Sequence, residues 1–167
     1  PFQPLTEGEH VRIGTAVITA LHTPGHTNES TAFVLNESAL FTGDTLFTNG
    51  VGRPDLHADT EAARERATAL FASLTRLRRL RGDIVVLPGH AGEPIAFDSQ
   101  PIAAPLGEID AWLSGWLTSE SAFVERVTWQ PPPTPPNFAR IVRVNEAGEL
   151  PADSTELEAG ANRCAVK

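Results

Sequence analysis

The sequence predicts a single domain of the α/β class, of the α+β type, over residues 1–167. Short β-branched runs bounded by glycine recur in its first half, which is typical of strands in a small sheet. A longer segment follows in which apolar residues recur at spacings of three and four, which indicates an amphipathic helix. The chain is long enough to bury one core between these elements.

The composition limits the classes of partner. Apolar residues make up 41% and charged residues 20% of the chain, as expected of a soluble globular protein. The net charge is −8 and no dense basic stripe is present, so we expect no nucleic-acid partner. No apolar run approaches the roughly 20 residues that span a bilayer, and no signal peptide is evident, so we expect no membrane partner. The single cysteine, Cys164, excludes an internal disulfide; its role stays open, and the cytoplasm is the expected compartment.

The chain contains no methionine and begins with Pro1. Because a primary translation product starts with methionine, we expect that a segment upstream of this sequence is missing.

Five runs are predicted as strands. They cover residues 11–13, 16–21, 31–35, 39–42 and 84–87, and the third and fourth form a hairpin across a short polar turn. Residues 45–57, which contain two glycines and one proline, are predicted to be a long irregular segment of the kind that often carries function.

The main predicted helix covers Thr60–Arg81. Asp59 caps its N-terminus, acidic residues lie early and arginines late, and Gly82 ends it. Its apolar stripe consists of Ala67, Leu70, Phe71, Leu74, Leu77 and Leu80.

The second half of the chain is predicted to be mostly helical. Residues 106–117 and 121–127 show helical spacing, whereas residues 138–145 fit either a helix or a strand. The proline-rich residues 130–136 are interpreted as a stiff connector.

Three of the predicted strands end in a turn that is followed by a metal-capable side chain. His26 follows a Thr-Pro-Gly turn, Asp44 follows Thr-Gly, and His90 follows Pro-Gly. Because proline fixes φ and glycine tolerates positive φ, such turns aim the next side chain sharply. A surface loop is the simpler interpretation of any one of these residues, but the three together indicate one site assembled at strand ends.

Imidazole and carboxylate groups bind zinc, iron and manganese, so all three side chains are predicted metal ligands, with His26 and Asp44 at the catalytic centre. Two arrangements stay open. In one, two histidines and a bridging Asp44 form part of a dinuclear site. In the other, His26 and Asp44 join a histidine from outside this chain in the facial triad of a mononuclear Fe(II) centre.

Residues 21–53 and 88–90 resemble the C-terminal half of the metallo-β-lactamase superfamily. In that family, the loop His-Thr-Pro-Gly-His-Thr, a Gly-Asp after a strand and a late Gly-His supply metal ligands in the order found here. The resemblance implies an αββα sandwich in which His26 binds the first metal, Asp44 bridges or binds iron, and His90 binds the second metal. The family's H-x-H-x-D-H motif is absent. We therefore expect only the C-terminal half of the domain, with the N-terminal half as its missing partner.

Two branches of this superfamily are similar to the chain. Residues 52–56 (Gly-Arg-Pro-Asp-Leu), 135–142 and 161–166 resemble persulfide dioxygenases, which use Fe(II) and O₂ to oxidise a glutathione-type persulfide to sulfite. This branch is the preferred one, and a rhodanese domain accompanies some of its members. The alternative is glyoxalase II, which hydrolyses hydroxyacylglutathione thioesters at a dinuclear metal site; for the cofactor, zinc as one or two ions is the alternative to Fe(II).

Arg53 is predicted to bind a substrate carboxylate through two parallel hydrogen bonds, although a surface arginine is an equally simple interpretation. A third functional hypothesis is a non-catalytic fragment that complements its missing half. An exposed apolar sheet edge or face would discriminate between these hypotheses, because we expect an isolated enzyme half to be inactive and to form a homodimer or to aggregate through it.

Overall fold

The computed structural model describes residues 4–92, 95–96, 98–134, 137–149, 151–153, 157 and 165–166. Some sequence predictions concern residues outside this set, namely residues 135–136 and 161–164, which include Cys164. Within the described part of the chain, none of the helices combines the length and apolar character that a membrane crossing requires.

The described residues form two sheets and four helices, a mixture that confirms the α/β class. The elements are β1 (His10–Ile13), β2 (Ala16–His22), β3 (Thr31–Leu35), β4 (Ala39–Gly43), β5 (Leu46–Phe47), β6 (Gly50–Gly52), α1 (Thr60–Leu77), β7 (Val85–Pro88), β8 (Ala104–Pro105), α2 (Leu106–Trp116), α3 (Glu120–Trp129), α4 (Phe138–Ala147) and β9 (Ala165–Val166).

Six strands form the main sheet in the order β1-β2-β3-β4-β7-β8. Strands β1 to β4 pair antiparallel one after the next, whereas β7 joins β4 in parallel. The connection from β4 to β7 contains α1, as a parallel crossover requires. As a result, β2, β4 and β7 run in the same direction, and their carboxyl ends meet at one edge of the sheet.

Helix α1 covers one face of this sheet. Its N-terminus is held by Asp59, whose carboxylate accepts the Ala62 N–H at 2.9 Å. The predicted apolar stripe is buried in the core at Ala67, Leu70, Leu74 and Leu77, and Phe71 and Leu80 pack against it.

The predicted end of this helix at Arg81 is wrong, because α1 ends at Leu77. The Leu80 N–H donates to the Leu77 carbonyl at 3.0 Å, an i→i+3 bond that tightens the last turn. The Arg78 side chain also donates to Asp110 of α2, with Nε 2.6 Å from Oδ1. Tertiary contacts therefore turn the chain toward β7 before the glycine is reached.

The later helices lie where the sequence pattern predicts them, but their observed lengths differ from the predicted ones. Helix α3 is longer than the predicted 121–127, since Ser119 caps it and it continues to Trp129. Residues 138–145, which fitted either a helix or a strand, form α4, and Gly148 ends that helix in the left-handed conformation with φ 66°.

The prediction that residues 45–57 form an irregular segment is wrong for residues 46–52 and agrees with the structure for residues 53–57, which contain no strand or helix. Strands β5 and β6 form a hairpin in which Leu46 pairs with Val51, and β6 also pairs with β9, where Val51 lies opposite Val166. Leu46, Phe47 and Val51 are fully buried. The partner strand lies near the other end of the chain, and such non-local pairing leaves no local pattern in two- and three-residue strands.

The second face of the main sheet is apolar and lies opposite the helices. Leu40 and Val86, which are paired across β4 and β7, point into the helical core and are fully buried. Their neighbours Phe41 and Val85 point the other way and are 41% and 38% exposed. The same face carries Val11, Ile13, Ile18, Phe33, Leu35 and Leu87.

Candidate metal centre

The structure brings the three candidate ligands together at one edge of the main sheet. His26, Asp44 and His90 follow β2, β4 and β7, whose carboxyl ends lie side by side. His26 Nε2 lies 3.5 Å from Asp44 Oδ2, and His90 Nδ1 lies 2.6 Å from Asp44 Oδ1. The Asp44 carboxylate therefore lies between the two imidazoles.

The orientation of His26 is fixed by a main-chain group. Its Nδ1 lies 2.8 Å from the carbonyl oxygen of Arg53. Because a carbonyl oxygen only accepts, Nδ1 donates, and a neutral ring then carries its lone pair on Nε2. That lone pair faces the Asp44 carboxylate, so the two nearest atoms are both acceptors.

Two facing acceptors fit a shared cation. Ligand atoms about 2.1 Å from one ion at a tetrahedral angle lie roughly 3.4 Å apart, and His26 Nε2 and Asp44 Oδ2 are separated by 3.5 Å. The side chains are 13% and 16% exposed, so the pair is shielded and still reachable. His26 and Asp44 would hold such an ion.

His90 is turned toward the carboxylate. Its Nδ1 donates to Asp44 Oδ1, which fixes the rotation of the carboxylate and leaves Oδ2 toward His26. Among the residues that the structure describes, no group of three or more His, Cys, Asp or Glu side chains is arranged to hold a metal ion. Among the described residues, His26 Nε2 and Asp44 Oδ2 thus face each other as potential metal ligands, and His90 positions the Asp44 carboxylate.

The remaining histidines lie away from this pair. His10 Nδ1 contacts Thr19 Oγ1 at 2.9 Å, and His22 Nε2 contacts the Asn28 carbonyl at 2.9 Å. The His57 ring packs edge-on against Phe138, with ring centroids 4.6 Å apart. Each of these three histidines therefore has a structural contact of its own outside the candidate metal centre.

The turn that precedes His26 packs directly against α1. Ser73 of α1 donates to the Pro24 carbonyl at 2.8 Å. Gly25 has φ +148°, and a Cβ there would lie 2.4 Å from the Leu70 Cβ. No other residue fits between the turn and the helix, which explains the glycine before His26.

Glycine is also required beside Asp44. A Cβ on Gly52 would lie 1.8 Å from the Asp44 carbonyl oxygen and 3.0 Å from the His26 Cβ. A Cβ on Gly89 would lie 2.8 Å from Asp44 Oδ1. The main chain therefore approaches both ligand residues closely from two sides.

Arg53 is buried, with a relative exposure of 1%. Its Nε lies 2.8 Å from Asp55 Oδ1 and its Nη2 lies 2.5 Å from Asp55 Oδ2. Its Nη1 donates to the Pro133 carbonyl at 3.1 Å. These three hydrogen bonds are all made within the protein, and the predicted role of Arg53 in substrate binding stays a prediction.

Sequence reasoning did not single out Asp55 as a partner of Arg53. The spacing of two residues across a proline was the available signal, because it permits a bidentate pair within one turn.

Comparison with known proteins assigns a family. The family model described as the metallo-beta-lactamase superfamily matches residues 1–90. A hydroxyacylglutathione hydrolase of Hydrogenovibrio crunogenus is 38% identical over 94 residues, which are 54% of this chain and 32% of that protein. A probable hydroxyacylglutathione hydrolase of Schizosaccharomyces pombe is 45% identical over 89 residues, which are 52% of this chain and 32% of that protein. The chain thus spans about a third of the length of these curated relatives.

Two solved structures resemble a larger part of the chain. A metallo-beta-lactamase from Staphylococcus aureus superimposes with a TM-score of 0.72 at 27% identity, covering 84% of this chain and 43% of that one. ETHE1 from Myxococcus xanthus superimposes with a TM-score of 0.70 at 28% identity, covering 87% of this chain and 60% of that one.

Proposed function

The chain belongs to the metallo-β-lactamase superfamily, and we propose that the full-length protein is a persulfide dioxygenase that oxidises a glutathione-type persulfide at a single iron. The predicted fold is confirmed, since the chain superimposes on part of the fold of two solved relatives. Members of the superfamily bind metal ions, generally zinc or iron. The resemblance of residues 52–56 to the dioxygenase branch supports this choice of reaction.

The hydrogen bond between His90 and Asp44 carries the proposal of a single metal ion. A carboxylate that bridges two ions through both of its oxygens gives one oxygen to each. Here Oδ1 accepts from His90 at 2.6 Å, and only Oδ2 faces His26. This arrangement favours one ion on His26 and Asp44, with the carboxylate positioned by His90.

An Fe(II) ion in a triad of two histidines and one carboxylate supplies open positions for oxygen chemistry. The residues of this chain have separate tasks there. His26 and Asp44 would hold the ion, since His26 Nε2 and Asp44 Oδ2 face each other. The Arg53 carbonyl keeps the imidazole in the required tautomer, and His90 keeps the carboxylate from rotating.

The experiment uses full-length protein loaded with Fe(II) under anaerobic conditions. With glutathione persulfide and oxygen, we expect one O₂ consumed for each sulfite released, while glutathione is regenerated. Zinc-loaded protein is the matched control and should consume no oxygen, because zinc has no redox chemistry. Absence of oxygen uptake by the iron-loaded protein would exclude the proposal.

A glyoxalase II-like hydrolase is the second candidate. It is favoured by the two curated relatives, which are named as hydroxyacylglutathione hydrolases and are 38% and 45% identical over the aligned regions. Hydrolysis of a hydroxyacylglutathione thioester by zinc-loaded protein, without oxygen uptake by the iron form, would establish this function instead.

We further propose that an N-terminal half-domain completes both the fold and the ligand set, with residues 1–167 as the C-terminal half. The apolar second face of the sheet supports this, because Phe41, Val85 and Ile13 are 41%, 38% and 62% exposed on it. A third ligand from that half would complete the triad. The homodimer, the rhodanese domain, the non-catalytic role and the cytoplasmic location stay predictions.

The isolated chain tests this division. We expect it to self-associate and to lack oxygenase and thioesterase activity, and we expect the double variant Phe41→Lys/Val85→Lys to lower its association, because lysine keeps the bare face in water. Trp129→Lys is the control, since Trp129 is 73% exposed on α3, within the helical layer. Analytical ultracentrifugation measures the outcome. A monomeric wild-type chain with full activity would contradict the division.

A further inference from the structure

Arg53 contributes to the metal centre with two different parts of the residue. Its side chain is among the largest fully buried ones in the part of the chain that the structure describes, and its guanidinium forms a bidentate pair with Asp55. Its main-chain carbonyl accepts from His26 Nδ1 at 2.8 Å. The Arg53 side chain is thus held by Asp55, while the Arg53 carbonyl holds the imidazole of His26, the proposed metal ligand.

The anchoring extends to a distant segment. Nη1 of Arg53 donates to the Pro133 carbonyl at 3.1 Å, which ties the proline-rich connector to the loop after β6. The neighbouring Gly52 already lies against Asp44, with no space for a Cβ. The peptide that carries the Arg53 carbonyl is therefore fixed by close packing before it and by the ion pair after it.

We propose that Arg53 and Asp55 are positioning residues whose ion pair fixes the Arg53 carbonyl, so that this carbonyl aims Nε2 of His26 at the metal ion. The inference rests on the metal centre of the proposed function, and it holds whether the reaction is an oxidation or a hydrolysis. It assigns the guanidinium to the protein interior and not to a substrate carboxylate.

A positioning role and a substrate-binding role predict different measurements. If the guanidinium binds substrate, Arg53→Lys keeps the positive charge, raises KM and leaves metal affinity unchanged. If the bidentate pair positions His26, lysine fails, because a single ammonium group does not reproduce the planar fork. Neutralising Asp55 should then act in the same way as changing Arg53.

The experiment measures the affinity of full-length protein for Co²⁺ by competition with a chelator, together with the visible spectrum of bound Co²⁺. For Asp55→Asn and Arg53→Lys we expect affinity lower by roughly 10–100-fold, the usual effect of losing a hydrogen bond behind a metal ligand. The spectrum should shift, because the imidazole is no longer held in one orientation. Unfolding curves of the metal-free variants establish that they are folded.

The chain provides a matched control in the pair Arg81–Asp83. This pair has the same spacing and the same bidentate geometry, with Nε 2.9 Å from Oδ1, and its side chains are 69% and 67% exposed. Arg81 also lowers the pKa of the Asp83 carboxyl, and its hydrogen bond to that carboxylate is the largest cause. Asp83→Asn and Arg81→Lys should leave the Co²⁺ affinity and spectrum unchanged.

Unchanged affinity and spectrum in folded Asp55→Asn and Arg53→Lys would overturn the inference, and so would an effect limited to KM. If neither variant folds, nitrogen NMR of the wild-type protein tests the inference instead, because it identifies the tautomer of His26. The inference requires the Nδ1–H tautomer for His26, and an Nε2–H tautomer would exclude it. Because Co²⁺ affinity does not depend on turnover, failure of the proposed reaction leaves this outcome readable.

Discussion

Replacing Asp44 with alanine in the full-length protein is expected to remove bound metal and activity together. Oδ2 of Asp44 faces His26 Nε2 at 3.5 Å, and no other acidic side chain is paired with His26 in the described residues. The loss should exceed the roughly 10–100-fold effect of changing a group behind a ligand, because in the proposed site Asp44 bonds to the ion itself. Metal content and kcat/KM measure it, and His26→Ala should behave in the same way.

The control for this prediction is another aspartate with a structural task. Asp59 caps α1 through a hydrogen bond of 2.9 Å to the Ala62 N–H. Asp59→Ala should lower the free energy of unfolding by about 1 kcal/mol and leave the metal content unchanged. Stoichiometric metal in folded Asp44→Ala protein would show that this carboxylate is not a ligand.

His90→Ala is expected to reduce turnover by roughly 10–100-fold while the protein keeps one metal ion per chain. The reason is that His90 Nδ1 donates to Asp44 Oδ1 at 2.6 Å, so the change releases the carboxylate without removing a ligand. His90→Gln, which retains a donor group, should recover part of the activity. Elemental analysis and steady-state kinetics measure both quantities.

The same variant has a different outcome in a dinuclear hydrolase. There His90 would hold the second ion, so His90→Ala should halve the metal content and cost as much activity as His26→Ala. Equal sensitivity of the two histidines would therefore contradict the single-metal proposal and support thioester hydrolysis.

Local patterns were sufficient for the elements whose partners are near in sequence. The β-branched runs placed five of the six strands of the main sheet within a residue, while β8 was not predicted. The spacing of Ala67, Leu70 and Leu74 identified the buried face of α1. Turn chemistry also singled out His26 and Asp44, because a sharp turn after a strand leaves few directions for the next side chain.

Non-local contacts were not predicted from these patterns. Strand β6 pairs with β9 near the other end of the chain as well as with β5, and strands of two and three residues are too short to show a pattern of their own. Likewise, the end of α1 was set by the turn at Leu80 and the pair between Arg78 and Asp110, and the glycine at position 82 was a misleading signal.

The sequence by itself determined the family, the three candidate metal residues and the order in which strands present them. Only the tertiary structure decided how those residues are oriented. It turned His90 toward Asp44, and it buried the Arg53 side chain against Asp55 so that the Arg53 carbonyl meets His26. The physical reason is that residue type and spacing fix where a strand ends and which side chain follows. Ring orientation, tautomer and the partner of a buried charge depend on groups that only folding brings within hydrogen-bonding distance.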